Sequence, residues 1–199
     1  MIKHTPIFLI ILLCSCVQID YGYFRYFKEG FNLGNNIDSD QVSSTLNYSF
    51  LKASYGRNQA IFVLANISDE NIYTWIGANN EVLKTYKGLI VSTGGMIFGN
   101  ISINRENLFK ESKNFYNSDF NLIVNIDSPD IANMQVKYKF LNSSLDKRGC
   151  QMITYKKYMP QIKFATKESY CLSGNRVIES TQRFSNLHRQ LLIEFHYKY

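Results

Sequence analysis

Proline, tryptophan and charged residues are all scarce in this chain. Its 199 residues include three prolines, eleven glycines and one tryptophan, and only 19% of them are charged. So little proline and glycine argues against collagen-like, disordered and low-complexity proteins. Apolar residues make up 45% of the sequence and aromatic residues 15%, which is enough to fill a sizeable core. Because domains of about 100–200 residues are typical, we expect one folded domain.

A concentrated block of basic residues is also missing, although the formal net charge is +6. Lysine and arginine are scattered singly, apart from short groups such as 146–148 and 156–157. Proteins that bind nucleic acid usually carry a basic patch or stripe, so no nucleic-acid partner is predicted. The diffuse positive charge is interpreted as ordinary solubility, with contact to acidic polysaccharide or lipid headgroups as the alternative.

No apolar run is long enough to cross a bilayer, which takes about 20 residues. The run from Ile7 to Leu13 follows a basic start and has the length of a signal-peptide h-region. The next residues, Leu13-Cys14-Ser15-Cys16, resemble a bacterial lipobox, whose last cysteine accepts a diacylglyceryl group before cleavage. We therefore expect residues 1–15 to be a lipoprotein signal peptide and Cys16 to be the lipidated N-terminus. The alternatives are an ordinary signal peptide cleaved near Ser15 and an uncleaved apolar anchor.

Lipidation of Cys16 predicts attachment to a membrane, because two or more acyl chains give stable anchoring. In Gram-negative bacteria, an aspartate after the lipidated cysteine tends to retain a lipoprotein in the inner membrane, and this chain has Val17 there. The expected location is therefore the outer membrane, facing the periplasm. Residues 16–40 are interpreted as the lipidated N-terminus and a tether, and residues 41–199 as a β-rich domain.

Strand patterns dominate that domain. Ile61–Ala65 is a short run of β-branched and aromatic residues, Asn66–Asn71 is predicted to be a turn, and Ile72–Ile76 is predicted to be the returning strand. The end of the chain, 191–199, alternates apolar and polar residues with the period of a strand. Further strands are predicted at Val82–Thr85, Gly88–Ser92, Phe120–Ile126, Met134–Leu141, Cys150–Tyr158, Ser169–Leu172 and Val177–Phe184.

These patterns predict a mainly β protein, with a single antiparallel domain curled into a barrel or packed as a sandwich. One or two short helices are expected within it. One helix would begin near Ser39 or Asp40, either of which can cap its N-terminus. The other would lie within Asn104–Asn117, where Leu108 and Phe109 stand among charged residues.

Two cysteines remain once Cys14 is removed with the signal peptide and Cys16 is lipidated. In an exported protein, Cys150 and Cys171 could form a disulfide. Two reduced, buried thiols are the alternative, because sequence spacing does not supply the Cα separation that a disulfide requires.

The sequence predicts no catalytic residues, no metal site and no cofactor. His188 and His196 do not have the spacing of a zinc-binding helix, and no nucleophile elbow or phosphate-binding loop is present. Glu168, Glu179 and Glu194 lie in predicted strands and could pair as in a glycosidase, but they are interpreted as residues of a solvated face. We therefore expect a protein that is not an enzyme.

Several motifs occur in an order that carries a family resemblance. They are Leu46–Ser49, Gln59–Ala65, Tyr73–Ile76, Val82–Thr93 and Gly174–Gln182. In this order they resemble the YjbF/GfcB family of group 4 capsule and exopolysaccharide lipoproteins. The chain departs from the family pattern at Asn47, Leu89 and Cys171, where the family has a proline, an arginine and an aromatic residue.

The resemblance implies a barrel-like fold, no known enzymatic activity and a supporting role in polysaccharide export at the outer membrane. The family-matched structural positions are Tyr48, Trp75, Gly88, Ser180 and Gln182. Ser180 and Gln182 are expected to project from one face of a strand near the edge of the sheet.

Two further matched residues lead to local structural expectations. Gly88 is expected in a turn with positive φ. Trp75 is expected to fill the core facing Ile61 and Val63, because a lone tryptophan in an apolar strand is more often a core residue than a platform for sugar.

The leading functional hypothesis is a non-enzymatic lipoprotein, anchored in the outer membrane, that supports secretion or assembly of capsule or exopolysaccharide. Its candidate partners are the membrane, through the lipid anchor, and polysaccharide or polysaccharide-export proteins. The alternative is a small integral outer-membrane β-barrel, which the alternating strand ending at Tyr199 favours. A glycan-cleaving enzyme ranks last, because no pair of carboxylates stands out.

Overall fold

The computed structural model describes residues 32–33, 38–96, 98–111, 115–127 and 130–198. The predictions for the signal peptide, for lipidation of Cys16 and for nearly all of the tether lie outside these residues. The strands are β1 Asn32–Leu33, β2 Phe50–Tyr55, β3 Asn58–Ile67, β4 Tyr73–Ile76, β5 Val82–Tyr86, β6 Leu89–Gly94, β7 Ile101–Ile103, β8 Phe120–Asp127, β9 Asp130–Leu145, β10 Gln151–Met159, β11 Phe164–Ser173, β12 Arg176–Gln182 and β13 Leu191–His196. The helices are α1 Ser39–Thr45, α2 Arg105–Glu111 and a 3₁₀ turn at Pro160–Ile162.

The strands form a closed barrel. Each strand from β2 to β12 pairs antiparallel with the next one along the chain, and β13 pairs back with β2, so that twelve strands complete the wall. β1 pairs with the first residues of β3 and adds a short flap to this wall. The prediction of a single antiparallel β domain with short helices is confirmed. The barrel is the form observed, and closure removes the unpaired edges that an open sheet would carry.

Strand alternation divides the wall into an apolar inner face and a polar outer face. On β8, Phe120, Leu122 and Val124 are buried, while Asn121 between them is exposed. The interior holds a group of packed rings, with Phe120 and Tyr138 stacked at 4.4 Å between centroids. The exposed outward residues of β9–β11 include Gln135, Lys137, Lys139, Lys156 and Lys167.

The two helices are shorter or differently capped than the sequence suggests. α1 is capped by Asp38, whose carboxylate accepts hydrogen bonds from the backbone N–H groups of Asp40 and Gln41, so the predicted caps at Ser39 and Asp40 are wrong. α2 occupies only the first part of the predicted 104–117 segment, and its buried residue is Leu108. Neither helix in the described ranges has the length and apolar character needed to span a membrane.

Each predicted strand overlaps an observed one, and half of them extend beyond its ends by one to three residues. β3 continues through Asn66 and Ile67, which the sequence assigned to a turn. The strand β2 was not predicted. It pairs with β3 on one side and β13 on the other, and its residues Phe50, Leu51 and Ala53 are buried. These differences arise because pairing with neighbouring strands extends an element beyond its own local pattern.

Candidate functional site

Three of the family-matched residues meet inside the barrel. The Gln182 amide donates hydrogen bonds to the carbonyl oxygen of Gly88 at 2.8 Å and to the hydroxyl of Ser180 at 3.0 Å. The backbone N–H of Ile90 donates to the Gln182 side-chain oxygen at 3.0 Å. Because β6 and β12 are not neighbours in the sheet, these bonds join two separate parts of the wall. β12 pairs on both sides, with β11 and β13, so the expectation of a strand near an edge is wrong.

The turn between β5 and β6 comes very close to β12 at Gly88. This glycine has a φ of +76°, and a Cβ built on it would lie 2.6 Å from a methyl carbon of Val177. Only a residue without a side chain meets both conditions. Gly88 therefore allows the turn to rest against the opposite strand.

Trp75 is completely buried, and its indole N–H donates to the Thr85 hydroxyl at 2.9 Å. Its partner in the β3–β4 register is Leu64, so it points to the same side of the wall as Leu64. Ile61 and Val63 alternate with the buried residues of β3 and point to the other side, so the expectation that Trp75 faces them is wrong. Tyr48 lies before β2 with 48% of its surface exposed.

Cys150 and Cys171 are joined in a disulfide, with their Cα atoms 5.6 Å apart. This bond links the start of β10 to β11. A carboxylate oxygen of Asp146 lies within 4.8 Å of both sulfurs. Because the two sulfurs are bonded to each other, they are not thiolates and do not form a metal site together with this carboxylate.

The three strand glutamates occupy different environments. Glu179 and Glu194 form ion pairs on the barrel surface, with Arg148 at 2.6 Å and Lys52 at 2.8 Å. Glu168 is only 1% exposed and points into the barrel. The interpretation of Glu168 as a residue of a solvated face is therefore wrong.

Glu168 forms a buried ion pair with Lys157, whose ammonium donates to the carboxylate at 2.8 Å. The other carboxylate oxygen accepts a hydrogen bond from the hydroxyl of Tyr170, and the backbone N–H of Arg183 donates to the first. The Lys157 ammonium also lies 5.5 Å from the centre of the Tyr138 ring.

Burial raises the pKa of Tyr138 and of Tyr170 well above its usual value, and the charge of Glu168 raises both further. Both phenols therefore stay protonated and able to donate. Glu168 accepts hydrogen bonds from three neighbouring groups, and these bonds connect β10, β11 and the residue that follows β12. The inward position that Glu168 shares with Tyr170 and Leu172 on β11 was the signal that could have revealed it.

A cleft of about 250 Å³ opens at one end of the barrel. It lies where β4 and β12 begin and β5 and β13 end, and Tyr116 adds a fifth separate part of the chain. Its lining consists of Asn71, Tyr73, Thr85, Tyr86, Lys87, Gly88, Tyr116, Asn175, Arg176, Val177 and Tyr197. Eight of these residues lie in the motifs that carry the family resemblance, but only Gly88 was named as a matched structural position. Nothing in the spacing of the motifs indicates that the fold brings them together.

The cleft combines aromatic faces with two cations. The Lys87 ammonium lies 5.4 Å from the centre of the Tyr86 ring and 6.0 Å from that of Tyr116. The Arg176 guanidinium carbon lies 5.5 Å from the centre of the Tyr197 ring. None of the described residues that line the cleft is acidic. The cleft therefore has a positive electrostatic character.

Unusual backbone conformations surround this cleft. Asn71, Lys87 and Tyr116 have φ angles of +59°, +48° and +112°, which residues with side chains seldom adopt. Tyr116 is held there by two hydrogen bonds: its hydroxyl donates to the carbonyl of Lys87, and its backbone N–H donates to the hydroxyl of Tyr155. Burial, with smaller contributions from Tyr155 and Tyr86, raises the pKa of the Tyr116 phenol, so it stays neutral. Strain of this kind concentrates at binding and catalytic sites.

Comparison with known proteins shows a similarity of fold. No protein-family model and no curated protein matches this chain. Among solved structures, it is similar to the hypothetical lipoprotein YmcC from Escherichia coli K12, with a TM-score of 0.63 and 14% sequence identity. The similarity covers 89% of this chain and 94% of that one. At this identity the likeness shows a shared fold.

Proposed function

We propose that this chain is a non-enzymatic lipoprotein, anchored in the outer membrane and facing the periplasm, that supports secretion or assembly of capsule or exopolysaccharide. The observation that carries the proposal is a barrel similar over nearly its whole length to a hypothetical lipoprotein, in a chain whose residues Leu13-Cys14-Ser15-Cys16 resemble a lipobox. The ordered motifs that resemble the YjbF/GfcB family supply the link to polysaccharide.

The cleft favours binding over catalysis. Its described lining offers tyrosine hydroxyls, amides and two cations, but neither a carboxylate nor a histidine that could act as a general base near neutral pH. The buried carboxylate of Glu168 already accepts hydrogen bonds from Lys157, Tyr170 and the backbone of Arg183. We therefore assign a binding role to the cleft and a structural role to the interior ion pair.

The anchoring half of the proposal is tested at Cys16. In a Gram-negative host, mass spectrometry of the wild-type protein should find a triacylated Cys16 at the mature N-terminus, in the outer-membrane fraction. Cys16→Ala should remain unprocessed and lose that lipid. Cys14→Ala is the matched control, because it changes a lipobox cysteine that carries no lipid in the proposal. A Cys16→Ala protein processed and located like wild type would contradict the proposal.

The same variant separates the proposal from an integral outer-membrane barrel. Transmembrane barrels face lipid with apolar side chains, and a lysine at the bilayer midplane costs about 2–4 kcal/mol. Here Lys137 and Lys139 on β9 and Lys167 on β11 point outward and are exposed. We expect sodium carbonate to release the Cys16→Ala protein from membranes. Resistance to carbonate would instead support the integral barrel.

The secretion half is tested in the organism that makes the protein. Deleting the gene should reduce the polysaccharide at the cell surface and in the medium, and the wild-type gene should restore it. Because the proposal needs the anchor, Cys16→Ala should restore less. Polysaccharide unchanged by the deletion would overturn this half, whatever the state of Cys16.

A further inference from the structure

The outer face of the barrel carries a more specific inference, which rests on the proposed function. We propose that a row of lysines across β9, β10 and β11 binds a negatively charged polysaccharide. This lysine row consists of Lys139, Lys156 and Lys167. The ligand class follows from the alignment of the three charges, from the lack of acidic partners among the described residues and from the polar side chains around the row.

The strand register places the three lysines side by side. Lys156 on β10 is paired with Lys139 on β9 and with Lys167 on β11, and all three are exposed on the outer face. Directly opposite residues of antiparallel strands have Cβ atoms about 4.5–5.5 Å apart, so the charges follow one another at short intervals. Lys137 adds a fourth charge, two residues from Lys139 on the same face of β9. The fold thus collects lysines that the sequence scatters.

This alignment is unfavourable unless an anion meets it. Like charges directly opposite each other on neighbouring strands repel and lower stability. An acidic neighbour would relieve the repulsion, but none of the ion pairs among the described residues includes Lys137 or a member of the lysine row. The positive charge of the row is therefore available to a ligand.

The acidic side chains that flank these strands are engaged elsewhere. Glu168 follows Lys167 in the chain, but it points into the barrel and pairs with Lys157. Asp119 comes just before β8, and its carboxylate accepts a hydrogen bond from the backbone N–H of Phe140 at 2.8 Å. Neither carboxylate forms an ion pair with the row, so its neutralisation is left to a group from outside.

The side chains around the lysine row suit a saccharide. Thr154 and Tyr158 flank Lys156 on the outer face of β10, and Asn121 on β8 is paired with Lys137. Hydroxyl and amide groups exchange hydrogen bonds with sugar hydroxyls, and the exposed Tyr158 ring offers a face to the C–H groups of a sugar ring. Surfaces that bind a bilayer combine lysines with large apolar side chains that enter it. The polar neighbours here favour a hydrated polyanion over a membrane.

A row of charges suits a chain better than a small ion. Successive acidic sugars of one chain can meet the lysines one after another, and each contact raises the local concentration for the next. A single contact between exposed charged groups is weak, because water and salt screen it. The proposal therefore predicts binding that becomes tighter with the length of the saccharide and weaker as salt is added.

The binding test is a calorimetric titration of full-length protein, purified in a nonionic detergent. The probes are polygalacturonate, digalacturonate and neutral dextran. We expect polygalacturonate to bind at least tenfold more tightly than either of the others, and its affinity to fall at high salt. The triple variant Lys139→Gln/Lys156→Gln/Lys167→Gln should lose at least tenfold in affinity for polygalacturonate.

The matched control is Lys84→Gln/Lys110→Gln/Lys147→Gln. It removes the same amount of charge from exposed lysines outside the row and should lose less than twofold in affinity. The row variant should melt at or above the wild-type temperature, because it removes repulsion between neighbouring strands.

Chemical labelling locates the contact without any substitution. Wild-type protein mixed with phosphatidylcholine vesicles would be acetylated with and without polygalacturonate, and mass spectrometry would measure the label on each lysine. The polysaccharide should reduce acetylation of the lysine row at least fivefold and leave Lys84 unchanged. Vesicles that also contain phosphatidylglycerol should not protect the row. Because this experiment needs no variant, it decides the question even if the row variant does not fold.

The inference is overturned if polygalacturonate binds no better than dextran, if the row and control variants lose affinity equally, or if the row is protected no more than Lys84. Protection by phosphatidylglycerol equal to that by polygalacturonate would also overturn it, because the row would then bind anionic surfaces in general.

Failure of this inference can be told apart from failure of the proposed function. A row variant that remains lipidated and restores normal polysaccharide in the deletion strain would refute the role of the lysine row and leave the export role standing. A deletion without effect on polysaccharide would refute the export role, even if the purified protein binds polygalacturonate.

Discussion

Gly88 shows how a single residue decides whether two parts of the wall can touch. Its carbonyl accepts a hydrogen bond from Gln182 on β12, and its missing side chain makes room for Val177 on the same strand. Gly149 has a similar φ, +80° against +76°, but no atom from the described part of the chain lies within 4 Å of the position of its Cβ. Both glycines therefore require a positive φ, but only Gly88 also lacks space for a side chain.

This difference predicts the outcome of alanine substitution at the two sites. Gly149→Ala should cost about 1–2 kcal/mol of unfolding free energy, which is the strain of the left-handed conformation. Gly88→Ala should cost about 1–3 kcal/mol more, because the new methyl group overlaps Val177. Urea denaturation of both variants and of wild type measures the difference. Equal losses would mean that the turn moves away from β12 without penalty.

At the scale of elements, β10 and β11 are joined by more than their backbone ladder. The disulfide ties one end of the pair, and the ion pair between Lys157 and Glu168 holds the inner face further along. The inward side of β10 also carries Ile153, Tyr155 and Met159, so the lysine stands among apolar neighbours. Either charge, left alone in this environment, would be costly.

We therefore expect Lys157→Met to lower the free energy of unfolding by about 3–5 kcal/mol, because it leaves the Glu168 carboxylate buried without a cation. Adding Glu168→Gln should restore part of that loss, so the double variant should lose less than the sum of the single variants. Urea denaturation of the full cycle measures this coupling. Lys156→Met, on the exposed side of the same strand, is the control and should stay within about 0.5 kcal/mol of wild type. A fully additive cycle would contradict the pairing.

At the scale of the whole molecule, the fold partly buries two histidines in surroundings that favour their neutral form. His196 stacks on Phe50 with ring centres 4.4 Å apart, and its Nε2 is buried without a hydrogen-bond partner among the described residues. His188 lies beside Ser185, with 2.8 Å between Nδ1 and the hydroxyl oxygen. Burial is the main cause that lowers the pKa of both histidines below the ordinary 6.5.

The lowered pKa values set the direction of a pH effect on stability. Below pH 6.5 the unfolded chain takes up protons at these histidines that the folded chain does not, so the free energy of unfolding should fall as the pH is lowered from 7 towards 5. His196→Phe keeps the aromatic stack and removes one of the two groups, so its stability should depend less on pH. Urea denaturation across this range tests both statements. An unchanged pH dependence in His196→Phe would show that His196 does not contribute.

Local patterns in the sequence are enough to predict the antiparallel β class, the approximate place of most strands and the burial of Trp75. These features follow from period-two alternation and from side-chain size, both of which are local and can be seen in a few consecutive residues. The N-terminal signal is likewise a short contiguous pattern. Its assignment therefore stays a prediction based on the residues from Lys3 to Cys16.

Three features depend on the complete fold: the closure of the wall, the contact of Gln182 with Gly88 and the inward position of Glu168 beside Lys157. Closure depends on pairing β13 with β2, which joins Leu191 to Tyr55 across most of the chain. The cleft residues Asn71, Lys87 and Tyr116 come from separate turns and loops, and Arg176 begins β12. Their proximity exists only once the register of the intervening strands is set. Register is the sum of many weak pairings along the wall, and no single segment of the sequence contains it.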